Sequence, residues 1–461
     1  VEVTIQTRNR KIKSAIKSLH LDQLVSHSLF KSGFSTLLIK ALGMPLAFAL
    51  QLVLVRVMTV AEYGVYAFAV AWLSILTLVV PLGFDVSYMR FIPEYRVHAQ
   101  WSYLKGILRR GNALVFVFSL IIAGICASLT ELLVDDHSLR LTLLIMCFLL
   151  PIRGFNKLRQ AALKSVSAPF WAYLPERGLR PVLLGAGCVI LYWWGSEVPR
   201  HLTAPTVMSL NLVVMAVLLI LGSTLLSKRL PDELAGKPSA TRTREWLSVS
   251  FPLLIISGLS VVLIRTDVLM VGFLAGTEAT GIYNAVNRAA TLVTLIFSTV
   301  AVILGPRISA YYQSRQRVKL QQVLTRGAAL SALSTLLILV PFCLFGRFVL
   351  GIFGAKYISG YPAFIILNLS HMVIAFASMS MLLFSVTVFQ RVSAKILSVV
   401  VIFNIICNAL LIPVLGIAGA ATATLLARLL NAVLHLWYAG KYTDLDFTCV
   451  SWFKEKLAGK D

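Results

Sequence analysis

Twelve long apolar stretches tile this chain from about Phe34 to Ala439, and Lys and Arg fall mostly in alternate gaps between them. A hydrocarbon core roughly 30 Å thick needs about 20 apolar residues per helical crossing, so each stretch reads as a transmembrane helix. The blocks lie near 31–56, 62–89, 111–131, 139–160, 169–194 and 204–227. A second set lies near 246–275, 279–306, 324–350, 360–388, 393–413 and 415–439. The expected fold class is therefore an all-α polytopic membrane protein with twelve transmembrane helices.

Composition agrees. Of 461 residues, 58% are hydrophobic and 13% charged, far from a soluble globular domain. The net charge of +23 could suggest nucleic acid. Basic residues interleaved with membrane spans instead read as topology signals and contacts to anionic headgroups, so no nucleic-acid partner is expected. Five of the six cysteines (Cys126, Cys147, Cys188, Cys343 and Cys407) lie inside apolar runs without metal-ligand spacing, and no metal or cofactor is expected.

Lys and Arg crowd the first residues, the 90–110 loop, and segments 153–164, 228–244, 307–326, 391–395 and 441–460. By the positive-inside rule these face the cytoplasm, with both termini inside. The gap at 131–137 carries Glu131, Asp135 and Asp136 instead, and the gaps at 275–280 and 413–415 carry no Lys or Arg. The chain then divides into a basic tail with an interfacial amphipathic helix (1–30), a six-helix bundle (31–227), a linker (228–245), a second bundle (246–439) and a C-terminal tail (440–461).

The halves resemble each other. A step of 217 residues carries Gly64-Val65-Tyr66 onto Gly281-Ile282-Tyr283, Arg90 onto Arg307 and Tyr95 onto Tyr312. After a one-residue slip, Arg110-Gly111 meets Arg326-Gly327. With an even number of crossings in each half the repeat is parallel, and two facing bundles enclose a central cavity.

The segment Leu54 to Tyr95 contains Arg56, Glu62-Tyr63-Gly64-Val65-Tyr66, Leu82-Gly83 and Arg90-Phe91-Ile92-Pro93-Glu94. The second half carries Arg265-Thr266-Asp267, Gly272, Gly281-Ile282-Tyr283 and Pro306-Arg307-Ile308-Ser309. These motifs resemble the polysaccharide-transporter (Wzx-type) flippase branch of the multidrug/oligosaccharidyl-lipid/polysaccharide (MOP) exporter superfamily. The resemblance implies the MOP flippase fold and no enzymatic activity. It implies movement of undecaprenyl-diphosphate-linked oligosaccharide across the bacterial inner membrane by alternating access, for export of a surface polysaccharide. Membrane lipids, a polysaccharide polymerase and chain-length proteins are the further partners it implies. Twelve spans rather than fourteen make the peptidoglycan precursor a less fitting cargo.

A charge near the bilayer centre costs roughly 2.5–3.5 kcal/mol on insertion scales, so embedded ionisable groups face a cavity or a partner. Embedded cations Lys40, Arg153, Arg177, Arg180, Arg265, Arg288 and Arg428 outnumber embedded anions Asp85, Glu176 and Asp267. The surplus predicts a positive cavity for an anionic ligand, and the planar fork of arginine suits a diphosphate. All seven cations are candidate substrate-binding residues. Small residues Gly419, Ala420, Ala421, Ala423 and Ala427 suggest space beside Arg428.

Glu176 and Arg180, spaced i, i+4, can pair, which leaves Arg177 for the cavity. Arg265 and Asp267, two apart, point to opposite sides of a helix. Asp267 either contacts Arg288 or is the ion-responsive group, for H+ or Na+, whose neutralisation frees Arg288. Glu176 is the second ion-coupling candidate. Tyr283, Asn287, Asn368, Asn404 and Asn408 are weaker candidates for sugar contacts.

Two other functions fit less well. A multidrug exporter of cations would want an acidic, aromatic cavity, and a membrane glycosyltransferase or polymerase would need a sizeable extramembrane domain. No P-loop or HExxH motif is present.

Overall fold

A computed structural model describes residues 42–194, 201–234, 236–387 and 389–443, together with Ser35, Leu38, Ile39 and Leu445. The basic tail, the expected interfacial helix, Lys40 and residues 446–461 lie outside the described residues. Everything described is helix, turn or short loop, with no strand among the described residues.

The first half holds α1 (Leu42–Val57), α2 (Val60–Val79), α3 (Phe84–Val97), α4 (Trp101–Leu133) and α5 (His137–Ser165). It continues through α6 (Pro169–Tyr173), a π-helical turn (Leu174–Leu179), α7 (Arg180–Trp194) and α8 (Ala204–Ser227). The second half holds α9 (Thr243–Thr291), α10 (Thr294–Gln313), α11 (Arg317–Leu344), α12 (Gly346–Phe353), a 3-10 segment (Ala355–Gly360), α13 (Tyr361–Val386) and α14 (Gln390–Tyr442).

Eight helices among the described residues are long and apolar enough to cross a membrane, and α1 is a shorter apolar helix. Helices and apolar blocks do not correspond one to one. The seventh and eighth blocks run through α9 into α10, and the eleventh and twelfth both lie in α14. Each of these long helices turns back at a glycine, Gly276 with φ 87° and Gly416 with φ 55°. Those left-handed values are open to glycine at little cost. Pro151, Pro306 and Pro341 sit inside α5, α10 and α11 without ending them. The interruptions fall at Pro81–Gly83, where Gly83 has φ 74°, and at Leu292–Val293.

Large apolar side chains cover the outside. Leu120, Ile121 and Ile125 on α4, Val213, Val217 and Ile220 on α8, and Leu333 and Leu337 on α11 are all exposed. A water-facing surface of this kind would aggregate, whereas lipid solvates it. The protein is a multi-pass membrane protein.

Two faces can be distinguished. The turns at 98–100 and 314–316, the linker after α8 and the end of α14 share one face, called here the linker face. The turns at Gly276 and Gly416 and helix α12 belong to the opposite face. There the halves join through α2 and the second arm of α9. The repeat step that pairs Gly64 with Gly281 also pairs Val60 with Thr277, and these four residues meet. A Cβ on Gly64 would fall 1.8 Å from the Thr277 carbonyl oxygen, and one on Gly281 would fall 2.3 Å from that of Val60. The two helices therefore touch backbone to backbone, a small-residue crossing that packs helices in lipid without any hydrophobic drive.

Around this crossing, Tyr63 bonds to Gln51 and accepts from Asn284 Nδ2 at 2.6 Å, and its ring meets Tyr357 edge-on at 6.4 Å. Phe48 packs on Phe353 at 5.7 Å, and the Arg56 guanidinium donates to the Ile352 carbonyl at 2.6 and 3.0 Å. Arg56 thus bridges the halves rather than pairing with Glu62. Glu62 instead accepts from Ser138 Oγ and from the Ala204 amide at the start of α8.

Gly64→Val is expected to force this contact apart and to lower stability by about 1–3 kcal/mol, the usual cost of overpacking. Gly124→Val, on an exposed stretch of α4 with nothing within 4 Å, should leave the melting temperature in detergent unchanged. Equal melting of both variants with the wild type would refute the crossing as a tight joint.

Candidate functional site

Four arginines converge between the halves. Arg153 comes from α5, Arg180 from the first residue of α7, Arg265 from the first arm of α9 and Arg288 from its second arm. Arg288, Arg153 and Arg180 all act electrostatically on Arg265, and Arg180, Arg153 and Arg288 on the buried Tyr66 of α2. Each guanidinium is half-buried. Like charges in a membrane interior repel strongly because little solvent screens them.

Compensation is incomplete. Arg153 pairs with Glu176 at 3.4 Å, and Arg180 Nε donates to Asn211 Oδ1 at 3.3 Å. Arg265 and Arg288 make no hydrogen bond or ion pair with any described residue. Two permanently charged groups, rich in donors, are thus left without an acceptor among the described residues.

The π turn explains which charges enter this group. A π turn carries about one residue more per hydrogen-bonded ring than an α-helix, so i, i+4 side chains no longer stack. The Glu176–Arg180 pair expected from an α-helical spacing is accordingly absent. Glu176 reaches across to Arg153 and accepts from Gln160 Nε2 at 3.4 Å. Arg177, expected in the cavity, is exposed, lies 5.5 Å from the Tyr173 ring and sits against Gly43 of α1. Asp85 pairs with Lys157 at 3.7 Å.

A second polar group lies inside the second half. Asp267, 5% exposed, accepts from Asn408 Nδ2 at 2.9 Å, from Tyr283 OH at 3.2 Å and from Thr424 Oγ1. The contact expected between Asp267 and Arg288 is not formed. Asp267 faces α14, whereas Arg288 lies one turn beyond Asn284, on the face that meets Tyr63 of the first half. The opposition of Arg265 and Asp267 across one helix has the same effect, sending one charge to each site.

Arg428 is also apart from the four arginines. Its guanidinium donates to Ser370 Oγ and His371 Nδ1, both at 2.8 Å. The small residues beside it are close-packed rather than spaced: Ala420, Ala421 and Ala423 are fully buried, and Gly419 presses on the Leu411 carbonyl. Arg428 and Asp267 act on each other electrostatically without forming an ion pair.

Of the residues expected to meet sugar, Tyr283 and Asn408 bond to Asp267, Asn404 adjoins it, and Asn368 donates to the Phe364 carbonyl. Sequence reasoning missed Asn284, Thr424 and His371. The signal for the first two was the matching four-residue steps to Arg288 and Arg428.

Residues 29–312, more than half of the chain, match the sequence profile of a family described as polysaccharide biosynthesis protein. The chain belongs to the polysaccharide biosynthesis protein family. Over 91% of its length it is 23% identical to an uncharacterised membrane protein of Methanocaldococcus jannaschii, covering 85% of that protein. Over 36% of its length it is 28% identical to AglR of Haloferax volcanii, named a probable flippase, covering 36% of that protein.

Two solved structures share its fold. An inward-facing multidrug resistance MATE family transporter of the MOP superfamily has a TM-score of 0.70 at 14% identity, over 88% of this chain and 97% of that one. The lipid II flippase MurJ in an inward closed conformation has a TM-score of 0.69 at 16% identity, over 89% and 87%. This family member therefore has the MOP flippase fold that its motifs imply.

Glu176→Ala leaves Arg153 beside Arg180 without its carboxylate, and is expected to lower stability by about 1–3 kcal/mol. Adding Arg153→Met should recover most of the loss, because it removes the stranded charge. Equal, additive losses in a double-mutant cycle of thermal unfolding would show that the pair does not act as a unit.

Proposed function

We propose that this protein flips a lipid-linked oligosaccharide by alternating access, with Arg153, Arg180, Arg265 and Arg288 holding the phosphate groups of the carrier. The observation that carries this reading is the convergence of four guanidinium groups from both halves, three of them without a counter-ion among the described residues and two without a hydrogen-bond partner there either. A diphosphate supplies the missing acceptors in the bidentate geometry that arginine favours. An anion that bridges both halves also reports its presence to both, which a rocking mechanism requires.

The name of the Haloferax relative and the fold of MurJ support glycan-lipid transport. A cationic drug would meet repulsion at this site, so the MATE-like alternative fits less well. An enzymatic alternative, the glycosyltransferase or polymerase, finds no large extramembrane unit among the described residues.

On this reading the linker face is cytoplasmic, because it collects Lys and Arg, and the opposite face is sealed by the Gly64–Gly281 crossing. The cavity would load from the cytoplasm. Undecaprenyl diphosphate, the bacterial inner membrane, a surface polysaccharide and the polymerase and chain-length partners follow from the family resemblance. The relatives named above are archaeal. A polyprenyl phosphate or diphosphate meets the same arginines in either host.

Asp267 is the proposed ion-coupling residue. Its carboxylate, the Thr424 hydroxyl and the unpartnered Oδ1 atoms of Asn404 and Asn408 place hard oxygen donors in one buried spot. Such a set suits a proton or a sodium ion. Arg428, one turn from Thr424, is the cation placed to compete for that carboxylate. It would take the role that the sequence reading gave to Arg288.

Arg265→Ala and Arg288→Ala are each expected to weaken binding of a polyprenyl-diphosphate sugar by about 10- to 100-fold, the worth of one charge-assisted hydrogen bond, and to abolish export in cells. Lysine at either position should restore part of both. Wild-type affinity in both alanine variants, measured on folded protein in nanodiscs, would end the proposal. Asp267→Asn should remove any dependence of transport on sodium or pH while leaving diphosphate binding intact. An unchanged ion profile would return Asp267 to a packing role.

A further inference from the structure

A cavity of about 700 Å³ opens on the linker face of the second half, lined by Tyr311, Tyr312, Arg315, Phe389 and Tyr442, with Leu445 at its edge. It lies far along the chain from the arginine group and the Asp267 group, on turns that neither site uses.

The internal duplication shows what such a corner is for. At a step of 216 residues, the turn from α3 to α4 repeats in the turn from α10 to α11. The Gln100 amide donates to the Tyr95 carbonyl at 2.8 Å, and the Gln316 amide to the Tyr311 carbonyl at 3.0 Å. Ala99 has φ 51° and Arg315 has φ 55°. The Leu104 amide donates to the Gln100 carbonyl, and the Leu320 amide to that of Gln316. Tyr95 and Tyr311 are therefore structural counterparts, which moves the match by one residue from the Tyr312 that the 217-residue step suggests.

In the first half this corner is covered by the chain that follows α8. Trp246, fully buried, donates its indole Nε1 to Tyr95 OH at 2.9 Å. The Ala240 amide donates to the Ser102 carbonyl at 3.1 Å, and the Ala240 carbonyl lies so close to Gly106 that a Cβ there would be 1.7 Å away. Arg242 stacks on Tyr103 at 4.3 Å, and Lys105 Nζ donates to the Lys237 carbonyl at 2.9 Å. The linker is thus a strap seated on the α3–α4 turn.

We propose that residues 446–461, which follow α14 as the linker follows α8, seat in the cavity on the α10–α11 turn, with Trp452 as the counterpart of Trp246. Leu445 already delivers the chain to the cavity's edge. Six residues separate Leu445 from Trp452, and an extended chain at about 3.3 Å per residue spans the cavity with length to spare. Asp446, the first residue of the segment, is also complementary to Arg315 on the cavity wall. Aromatic walls beside a tyrosine hydroxyl also suit an indole, which buries its ring and needs one acceptor for its N–H. Such a strap ties the α10–α11 turn to the end of α14, so that each half carries its own clamp on the linker face.

Amide hydrogen exchange tests this in nanodiscs of zwitterionic lipid, comparing the full chain, a chain ending at Leu445, and full-length Trp452→Ala. Amides of 314–320 should exchange at least ~10-fold faster in both variants, as expected for loss of a local cover. Those of 98–104, under the linker, should not change. Unaltered exchange at 314–320 in Trp452→Ala overturns the proposal, even if the shortened chain fails to fold. Nanodiscs containing cardiolipin supply the competing occupant. Protection of 314–320 that follows cardiolipin and is indifferent to residues 446–461 would assign the cavity to an anionic lipid headgroup instead.

Discussion

The backbone contact of Gly64 with Gly281 is the joint around which this molecule is arranged. Helices in lipid gain little from burying apolar side chains against each other, since the surrounding tails are just as apolar. Close approach of backbones supplies the dispersion that holds the halves together, and only glycine allows it at this spacing. Because the two residues are repeat mates, the joint is symmetric: each helix offers a glycine to a carbonyl of the other.

The junction between the halves is where the electrostatics are least balanced. Arg265 and Arg288 enter it from the two arms of α9, and Arg153 and Arg180 from α5 and α7. Holding four guanidinium groups together in a low-dielectric interior works against folding. Such strain persists where a site must recognise an anion, because the ligand's charge offsets what the protein leaves uncompensated. Glu176 relieves one member of the group and Asn211 orients another. The remaining two have no partner among the described residues. The Asp267 group lies on another face of α9, so one helix carries both the unpaired cations and the buried carboxylate.

Much of this was legible in the chain. Apolar block lengths specified helices in a membrane, the surplus of embedded arginine pointed to an anionic ligand, and the Gly-x-Tyr repeat located the two halves. The two-residue step from Arg265 to Asp267 correctly sent their side chains to opposite sides. The expected pairs failed for local reasons. The π turn at 174–179 rotated Glu176 away from Arg180. The reversal at Gly276 set Arg288 toward the first half and out of reach of Asp267. The alanines beside Arg428, which suggested an open path, instead brought α14 into close packing. In each case an α-helical spacing was right about sequence distance and wrong about direction.

What the sequence by itself determined was the solvent and the helices, because these depend on composition and on periodicity along one segment. Partnerships between segments are another matter, since they depend on where helices bend and how closely they cross. Only the tertiary structure decided that Gly64 touches its own repeat mate, that Arg265 joins Arg153 rather than an acid, and that Asp267 is held by Asn408, Tyr283 and Thr424. Positive backbone φ at Gly83, Gly276 and Gly416 sets those encounters, and no residue count along the chain encodes them.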